Sequence, residues 1–386
     1  MSSAKQRLLI ISFSPIHRDP RVLRQIALFG DDYDLTTCGF GTAPEGVVDH
    51  IEIPGPAGDV AGQMKARIHL VVLRRWNSLY ESLREVRSSR IGLGERQPFD
   101  GVLANDVLAL PLATSLGAPV HADLHEYAMG QGAGLSWVLA AAPFLRWAAG
   151  SITKCASVTT VAPGIADRYA REFGVQAGVV PNSPNHRNDL VVRPTGAPIR
   201  LVHVGAAGPP RRLELSVDAV TRVNQASPGK LELDLYLVPG SEAYIEQLRQ
   251  QAGDASVTGV RLQEPVEFSQ LIDVIHQYDV GLFFAPPVTY NLKHVLPNKF
   301  FEYVQARVGV VIGPSIEMAP YVDRYGFGAV ARGWAGDDLV EVLQGLTPHL
   351  VDRWKAAADA AARELSADVT SQVWVDNVNT MMGQES

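Results

Sequence analysis

Short apolar runs alternate with longer amphipathic stretches along nearly the whole chain. That alternation predicts parallel β-sheets covered by helices on both faces. In the first half, the runs at 8–13, 34–40, 101–104, 119–123, 157–161 and 177–180 read as strands. Stretches with helical spacing fall between them, at 20–29, 61–90, 106–116, 136–155 and 163–173. A second series begins near Ile199, with strands predicted at 199–204, 232–238, 259–262, 280–284, 309–312 and 329–330. Its helices are predicted at 211–224, 241–251, 269–277, 298–306, 317–325 and 337–345, and two further helical stretches follow at 348–365 and 369–382. The fold class is α/β, with two Rossmann-like domains in succession.

Between the two series, residues 181–198 carry four prolines with three Asn and one Gly, which predicts a connecting segment and not an element. The expected division is a first domain over 1–182, a linker over 183–198, a second domain over 199–366, and a terminal helix over 367–386 that returns to the first domain. Each half holds about 190 residues, enough for its own core. No repeat of fixed period interrupts this picture.

Composition narrows the partners. The 386 residues are 46% hydrophobic and 19% charged, with a net charge of -7. No global basic field is present, so no nucleic-acid partner is expected. The two cysteines, Cys38 and Cys155, make neither a metal-ligand pair nor a disulfide framework, which fits a reducing cytoplasm. The apolar run near the N-terminus is too short for a signal peptide, and no run reaches the about 18 apolar residues that span a bilayer. The closest stretch, 135–149, is interrupted by Arg146. A soluble cytoplasmic protein is expected. Segment 60–97 adds one qualification: it carries eight Lys or Arg against three Glu, with Val72, Leu73, Trp76, Leu79, Tyr80, Leu83 and Val86 at helical spacing. Its basic face is either solvated or meets an anionic surface, such as the inner face of a membrane.

The densest chemistry lies at 296–303, Leu-Pro-Asn-Lys-Phe-Phe-Glu-Tyr. Pro297 suits a first helical turn, and the N–H groups of Asn298, Lys299 and Phe300 then open the helix. Such a start, with its dipole, is an anion site, and Lys299 adds a formal charge. Glu302, one turn on, suits a ribose diol. The run follows a predicted strand, so it lies on the edge where open α/β sheets bind ligands. Gly205 follows a strand and precedes Arg211 and Arg212, which suit bidentate bonds to a diphosphate. Glu264, Pro265 and Val266 follow another strand and read either as a plain turn or as backbone facing a nucleobase. In the first half, His125 and Glu126 close a strand that also carries His121 and Asp123. Ser14, His17, Arg18 and Arg21 lie in and beside the first strand-to-helix loop, as acceptor or phosphate contacts, with an Asp19 salt bridge to Arg21 or Arg24 as the structural alternative. No Gly-x-Gly-x-x-Gly follows the first strand, which argues against a dinucleotide-dependent oxidoreductase, and no Asp-x-Asp run suggests a bound metal.

Taken together, the order, spacing and motifs resemble the retaining glycosyltransferases of the GT-B fold, close to glycosyltransferase family 4. The carrying residues are the run from Pro297 to Ile312, the segment Asp123, His125 and Glu126, and the opening Asp19-Pro20-Arg21-Val22 with Arg24. The resemblance implies two domains facing a central cleft, and hexosyl or related transfer from a nucleoside-diphosphate sugar with retention, without metal or cofactor. It implies acceptor binding by the first domain and donor binding by the second. Glu302 would hold the ribose, the 264–266 backbone the base, and Lys299 with Arg211 or Arg212 the diphosphate. His125 and Glu126, with Lys299, would carry catalysis. The chain departs from the family in three places. The glycine pair usual in the first strand-to-helix loop is absent, and only the Arg half of the usual Arg and Lys is clear at 211–212. His294 stands where an acidic residue eight positions before Glu302 is usual, so that task falls to another group such as His294 or Lys293. The acceptor (glycan, lipid-linked or natural-product) is not specified. A GT-B-fold nucleotide-sugar epimerase and a non-catalytic GT-B-like partner protein stay open beside this reading.

Overall fold

The structure, a computed structural model, describes residues 5–55, 68–94, 96–132, 134–238 and 240–384. It divides into two compact units, residues 1–180 with 371–386, and residues 181–370.

The first unit is built on seven parallel strands in the order β3-β2-β1-β4-β5-β6-β7. They are β1 (Arg7–Pro15), β2 (Asp34–Phe40), β3 (Asp49–Ile53), β4 (Gly101–Asn105), β5 (Val120–Leu124), β6 (Ser157–Thr160) and β7 (Gly178–Val179). Leu8 to Ile11 are all fully buried because helices cover both faces of the sheet. Only β3, whose run Asp-His-Ile-Glu-Ile is polar at three of five positions, is absent from the sequence reading. Helix Pro20–Phe29 starts where predicted. Asp19 caps it through the Arg21 and Val22 N–H groups, with Pro20 just inside.

Three predicted helices come out broken, each for a local reason. Of 61–90, residues 61–67 lie outside the described residues. The rest forms Ile68–Val72, Trp76–Ser82 and Arg84–Gly94, interrupted by Arg74 at φ 51° and by an extended Leu83. Of 106–116, only Leu110–Ala113 winds, because Asp106 takes φ 63°. Over 136–155 a π-type turn, Trp137–Ala141, leads into helix Ala142–Ala149 and a 3-10 turn. Pro143 lacks the N–H that a regular ladder needs there.

The second unit carries six parallel strands in the order β10-β9-β8-β11-β12-β13. They are β8 (Ile199–Ala206), β9 (Leu231–Val238), β10 (Val260–Gln263), β11 (Val280–Phe283), β12 (Gly309–Ile312) and β13 (Gly328–Val330). Leu201, Leu233, Leu235, Leu282 and Val311 are fully buried in its core with Val217, Val220, Leu339 and Leu343 from the covering helices. Short helices Ala255–Thr258 and Tyr290–Lys293 were not read from the sequence.

Residues 181–198 group with the second unit and do not stand apart as a linker. Their backbone groups are taken up by that unit: the Arg307 guanidinium donates to Arg187 O at 2.6 Å, Arg187 N–H to Gln305 Oε1 at 3.1 Å, and Ala367 N–H to Pro184 O at 2.8 Å. The return to the first unit comes at Ser371, four residues later than read from the sequence. There helix Gln372–Met381 buries Trp374, Val378 and Met382 among Leu8, Ile10, Val22 and Phe29. No helix of the described residues is long and apolar enough to cross a membrane.

Candidate functional site

Each sheet has one topological switch point, where the strand order reverses and crevices for ligands open at the carboxyl ends. In the second unit it falls between β8 and β11. The two strands pair only at Leu201 with Val280 and Val202 with Gly281, then part. Side chains occupy the gap. His203 Nδ1 donates to Leu282 O at 2.9 Å. The Lys299 ammonium donates to Val204 O and stands 5.3 Å from the centre of the Phe283 ring. Gly205 sits at φ 126°, and a Cβ there would strike the Lys299 ammonium. The conformation favours glycine, and any side chain there would also displace the Lys299 ammonium.

Lys299 belongs to helix Asn298–Gln305, whose residues from Lys299 to Gln305 are all buried. A helix apolar on every face is ordinary in a core, but one that buries a lysine and a glutamate one turn apart is costly without a partner. Burial pulls the Lys299 ammonium down to about 7; Arg211 pushes the same way, and Glu302 opposes. Burial also holds the His203 imidazole neutral, helped by the Lys299 charge. Because Nδ1 carries the hydrogen, Nε2 is a lone pair, buried and without a hydrogen-bond partner. Pro297 is the N-cap and not the first helical residue. Phe300 N–H turns back to Pro297 O at 3.1 Å, which leaves Asn298 and Lys299 as the N–H groups ahead of the first helical bond.

Among the other residues of this unit, the two arginines separate. Arg211 acts on Lys299 and His203, whereas Arg212, at φ 53°, is tied to Glu214 at 2.5 Å. Glu264, Pro265 and Val266 form the loop after the edge strand β10, with Glu264 and Pro265 exposed. His294 meets a carboxylate that the sequence reading missed: its Nδ1 lies 2.7 Å from Glu317 Oε1, with Glu317 buried. Its ring also packs on Tyr290 at 4.6 Å. The loops that carry the pair also line a pocket of about 150 Å³, through Leu292, Val295, Ser315 and Met318.

In the first unit the switch point lies between β1 and β4, where Ser12 is level with Asn105 and Asn105 with Asp123. Asp123 is fully buried and fully bonded. It takes two 2.7 Å bonds from Arg21, one of 2.8 Å from Gln25 and one of 2.7 Å from Thr159, with Trp374 Nε1 at 3.3 Å. The Arg21 charge and the His125 bond hold its carboxyl well below the ordinary range, against the opposing effect of burial. Arg21 also donates to Val180 O at 2.9 Å and lies over the Trp374 ring at 4.5 Å. With 3% of its surface exposed, Arg21 is therefore a structural residue, not an acceptor or phosphate contact. Asp19, its expected partner, instead caps the helix and accepts from Ser14 Oγ at 2.7 Å. His17 and Arg18 are exposed in the turn before it, and Glu126 is exposed beyond β5.

His125 is the functional candidate of this end. Its Nε2 stands 3.1 Å from Asn105 Oδ1 and 3.7 Å from Asp123 Oδ2, and its Nδ1 3.4 Å from Asp106 Oδ2. Burial works against the charged ring, but Asp106 and Asp123 together raise its pKa above the ordinary value. The sequence reading has Asp106 only as the start of a helix, not as a site residue.

No family model and no curated protein matches the chain. Solved structures do. An α,α-trehalose 6-phosphate synthase from Burkholderia multivorans superposes with a TM-score of 0.68 at 10% identity, over 98% of this chain and 99% of that one. WaaG, a glycosyltransferase involved in lipopolysaccharide biosynthesis, gives 0.66 at 14% identity over 97% and 100%. HepE from Anabaena, in complex with UDP and glucose, gives 0.64 at 13% over 97% and 100%. Since the likeness runs through all of each chain, the fold of this protein is the GT-B fold of glycosyltransferases.

Proposed function

We propose that the protein is a retaining, metal-independent glycosyltransferase that moves a sugar from a nucleoside-diphosphate sugar to an acceptor. The observation that carries this reading is the Lys299 ammonium, buried at the parting carboxyl ends of β8 and β11 and accompanied by Arg211. A lysine charge that burial and a neighbouring, partly buried guanidinium both disfavour becomes favourable around a diphosphate. As the bond to the sugar breaks, Lys299, Arg211 and the helix N–H groups would neutralise the charge that grows on the leaving diphosphate. Glu302 would accept from the ribose hydroxyls, the 264–266 backbone would meet the base, and the Glu317-tethered His294 would face the sugar. His125 and Glu126 would serve the acceptor side, with Ser14, His17 and Arg18.

Thermal-shift measurements with UDP, GDP and dTDP test the donor site. HepE was solved with UDP, which makes UDP the first to try. Binding to the native state raises its melting temperature, and Glu302→Ala should remove the shift. An absent shift with every nucleotide would sink the reading. Release of UDP only when an acceptor is added separates transfer from epimerisation, which needs no acceptor, and from a non-catalytic partner, which releases none.

The acceptor side carries a second proposal, contact with an anionic lipid surface. Val72, Leu73, Leu135, Val138 and Leu139 are exposed. Arg74 and Arg75 lie beside the first pair, and Trp76 stands 6.1 Å from Phe144 of the helix that follows Leu139. Apolar side chains among arginines suit a headgroup boundary. Sedimentation with phosphatidylglycerol vesicles, but not with phosphatidylcholine vesicles, is the expected result; sedimentation with neither would remove the proposal.

A further inference from the structure

The hydrogen bonds around His125 fix more than its position; they fix where its protons are. The chain of reasoning begins at Asp123, whose ionised carboxylate only accepts. Gln25 turns one end of its amide to Asp123 Oδ2 at 2.8 Å, so that end is the NH₂. Its oxygen then accepts from Asn105 Nδ2 at 3.0 Å, while its NH₂ also reaches Asn105 Oδ1 at 3.0 Å. The reciprocal pair leaves Asn105 no freedom to flip. Asn105 Oδ1 is therefore what His125 Nε2 meets at 3.1 Å, and Nε2 must carry a hydrogen. The remaining choice is at Nδ1. A bare Nδ1 would set a lone pair against Asp106 Oδ2 at 3.4 Å, and a protonated one turns that repulsion into attraction.

Asp106 is itself held in a costly state. It adopts φ 63° at the carboxyl end of β4, where a residue other than glycine is strained. Two bonds keep it there: its N–H donates to Asp123 O at 2.8 Å, and its Oδ1 accepts from His125 N–H at 2.9 Å. The strained residue thus turns its second carboxylate oxygen to the ring. The charged groups facing the ring are Asp106 and Asp123, with Arg21 opposing them.

We propose that Asp106 is a positioning residue that keeps His125 doubly protonated, so that this strand end presents a fixed cation and not a general base. Nε2 is committed to Asn105, and Nδ1 can give its proton up only by facing a carboxylate with a lone pair. Both ring N–H groups are then committed to internal partners, and the ring's charge is met by Asp106. Its bearing on glycosyl transfer rests on the function proposed above; the proton arrangement does not.

Long-range ¹H–¹⁵N NMR of the histidine rings, on the full chain without ligand, tests it. In the wild type, His125 should carry hydrogen on both nitrogens at neutral pH and titrate above the ordinary histidine value. Asp106→Asn keeps a side chain tolerated at this φ and can still accept from His125 N–H, but removes the charge. It should lower the titration point of His125 and leave the neutral ring protonated at Nε2 alone. Asp106→Gly, which relieves the backbone, should shift the titration the same way and serves if the first variant folds poorly. An unchanged titration in a folded variant overturns the proposal, as does a neutral wild-type ring protonated at Nδ1. Either result leaves nucleotide binding by the second unit untouched.

Discussion

The two switch points of this protein occupy the same place in their sheets and hold opposite charge arrangements. At β1 and β4, the buried Arg21 is matched by Asp123, and every strong donor around that carboxylate is an internal partner. At β8 and β11, the buried Lys299 donates to a backbone carbonyl, and its charge is disfavoured by burial and by Arg211 and favoured by Glu302. The first arrangement is complete as it stands, whereas in the second the surroundings of Lys299 disfavour its charge. A buried charge therefore points to a ligand only where its own surroundings fail to balance it.

That contrast predicts opposite outcomes for two substitutions. Asp123→Ala strands the Arg21 guanidinium in the core and should cost about 3–5 kcal/mol in denaturant unfolding of the first unit. Lys299→Met keeps the stem and removes a poorly balanced charge, so stability should hold or rise. The same change should weaken UDP binding about 10- to 100-fold, the worth of one charge-assisted hydrogen bond. Calorimetric titration measures the second effect. A Lys299→Met protein as unstable as Asp123→Ala would end the distinction between the sites.

The two ends were unequally legible in the sequence, for the same reason. Helix Asn298–Gln305 announced itself because a proline, a lysine and a glutamate fall within one turn and a half, and local spacing is what a sequence displays. The parallel strands were equally plain, since burial on both faces leaves nearly unbroken apolar runs. Arg21 misled because its motif is local while its partner Asp123 is 102 residues away. Asp106 left little trace, since Asn and Asp tolerate the left-handed region but a dipeptide does not show that it is used. Glu317 stood 23 residues beyond His294, in the loop after the next strand, and only the parallel register of β11 and β12 brings the two loops together.

Acidity separates the ends further. The Asp123 carboxyl is depressed in the fold, so its contribution to stability is present above the unfolded carboxylate pKa and is lost as pH falls through the folded one. The Lys299 ammonium is depressed as well, but for a base the sign reverses. Between its folded and unfolded values the unfolded chain holds more protons, so stability rises with pH across that window. A diphosphate would restore the charge, so UDP binding at about pH 8 should take up a proton. Titrations in two buffers of different ionisation enthalpy read that uptake directly. It should vanish in Lys299→Met, and a wild type that binds UDP with no uptake would contradict the depressed ammonium.

The smallest effect sharpens the second site to a single arginine. Arg212 is half exposed and already paired with Glu214, so Arg212→Ala should change stability by about 0–1 kcal/mol. It should change UDP affinity no more than a few-fold and leave the proton uptake as it was, because Arg212 is not among the charges acting on Lys299. Arg211→Ala differs on both counts. It removes one of the two influences that hold the Lys299 pKa down, so more of the ammonium is charged before the ligand arrives. UDP should then bind more weakly and with less proton uptake than in the wild type. Equal behaviour of the two variants would mean that Arg211 has no special place beside Lys299, and that burial alone holds the lysine's pKa down.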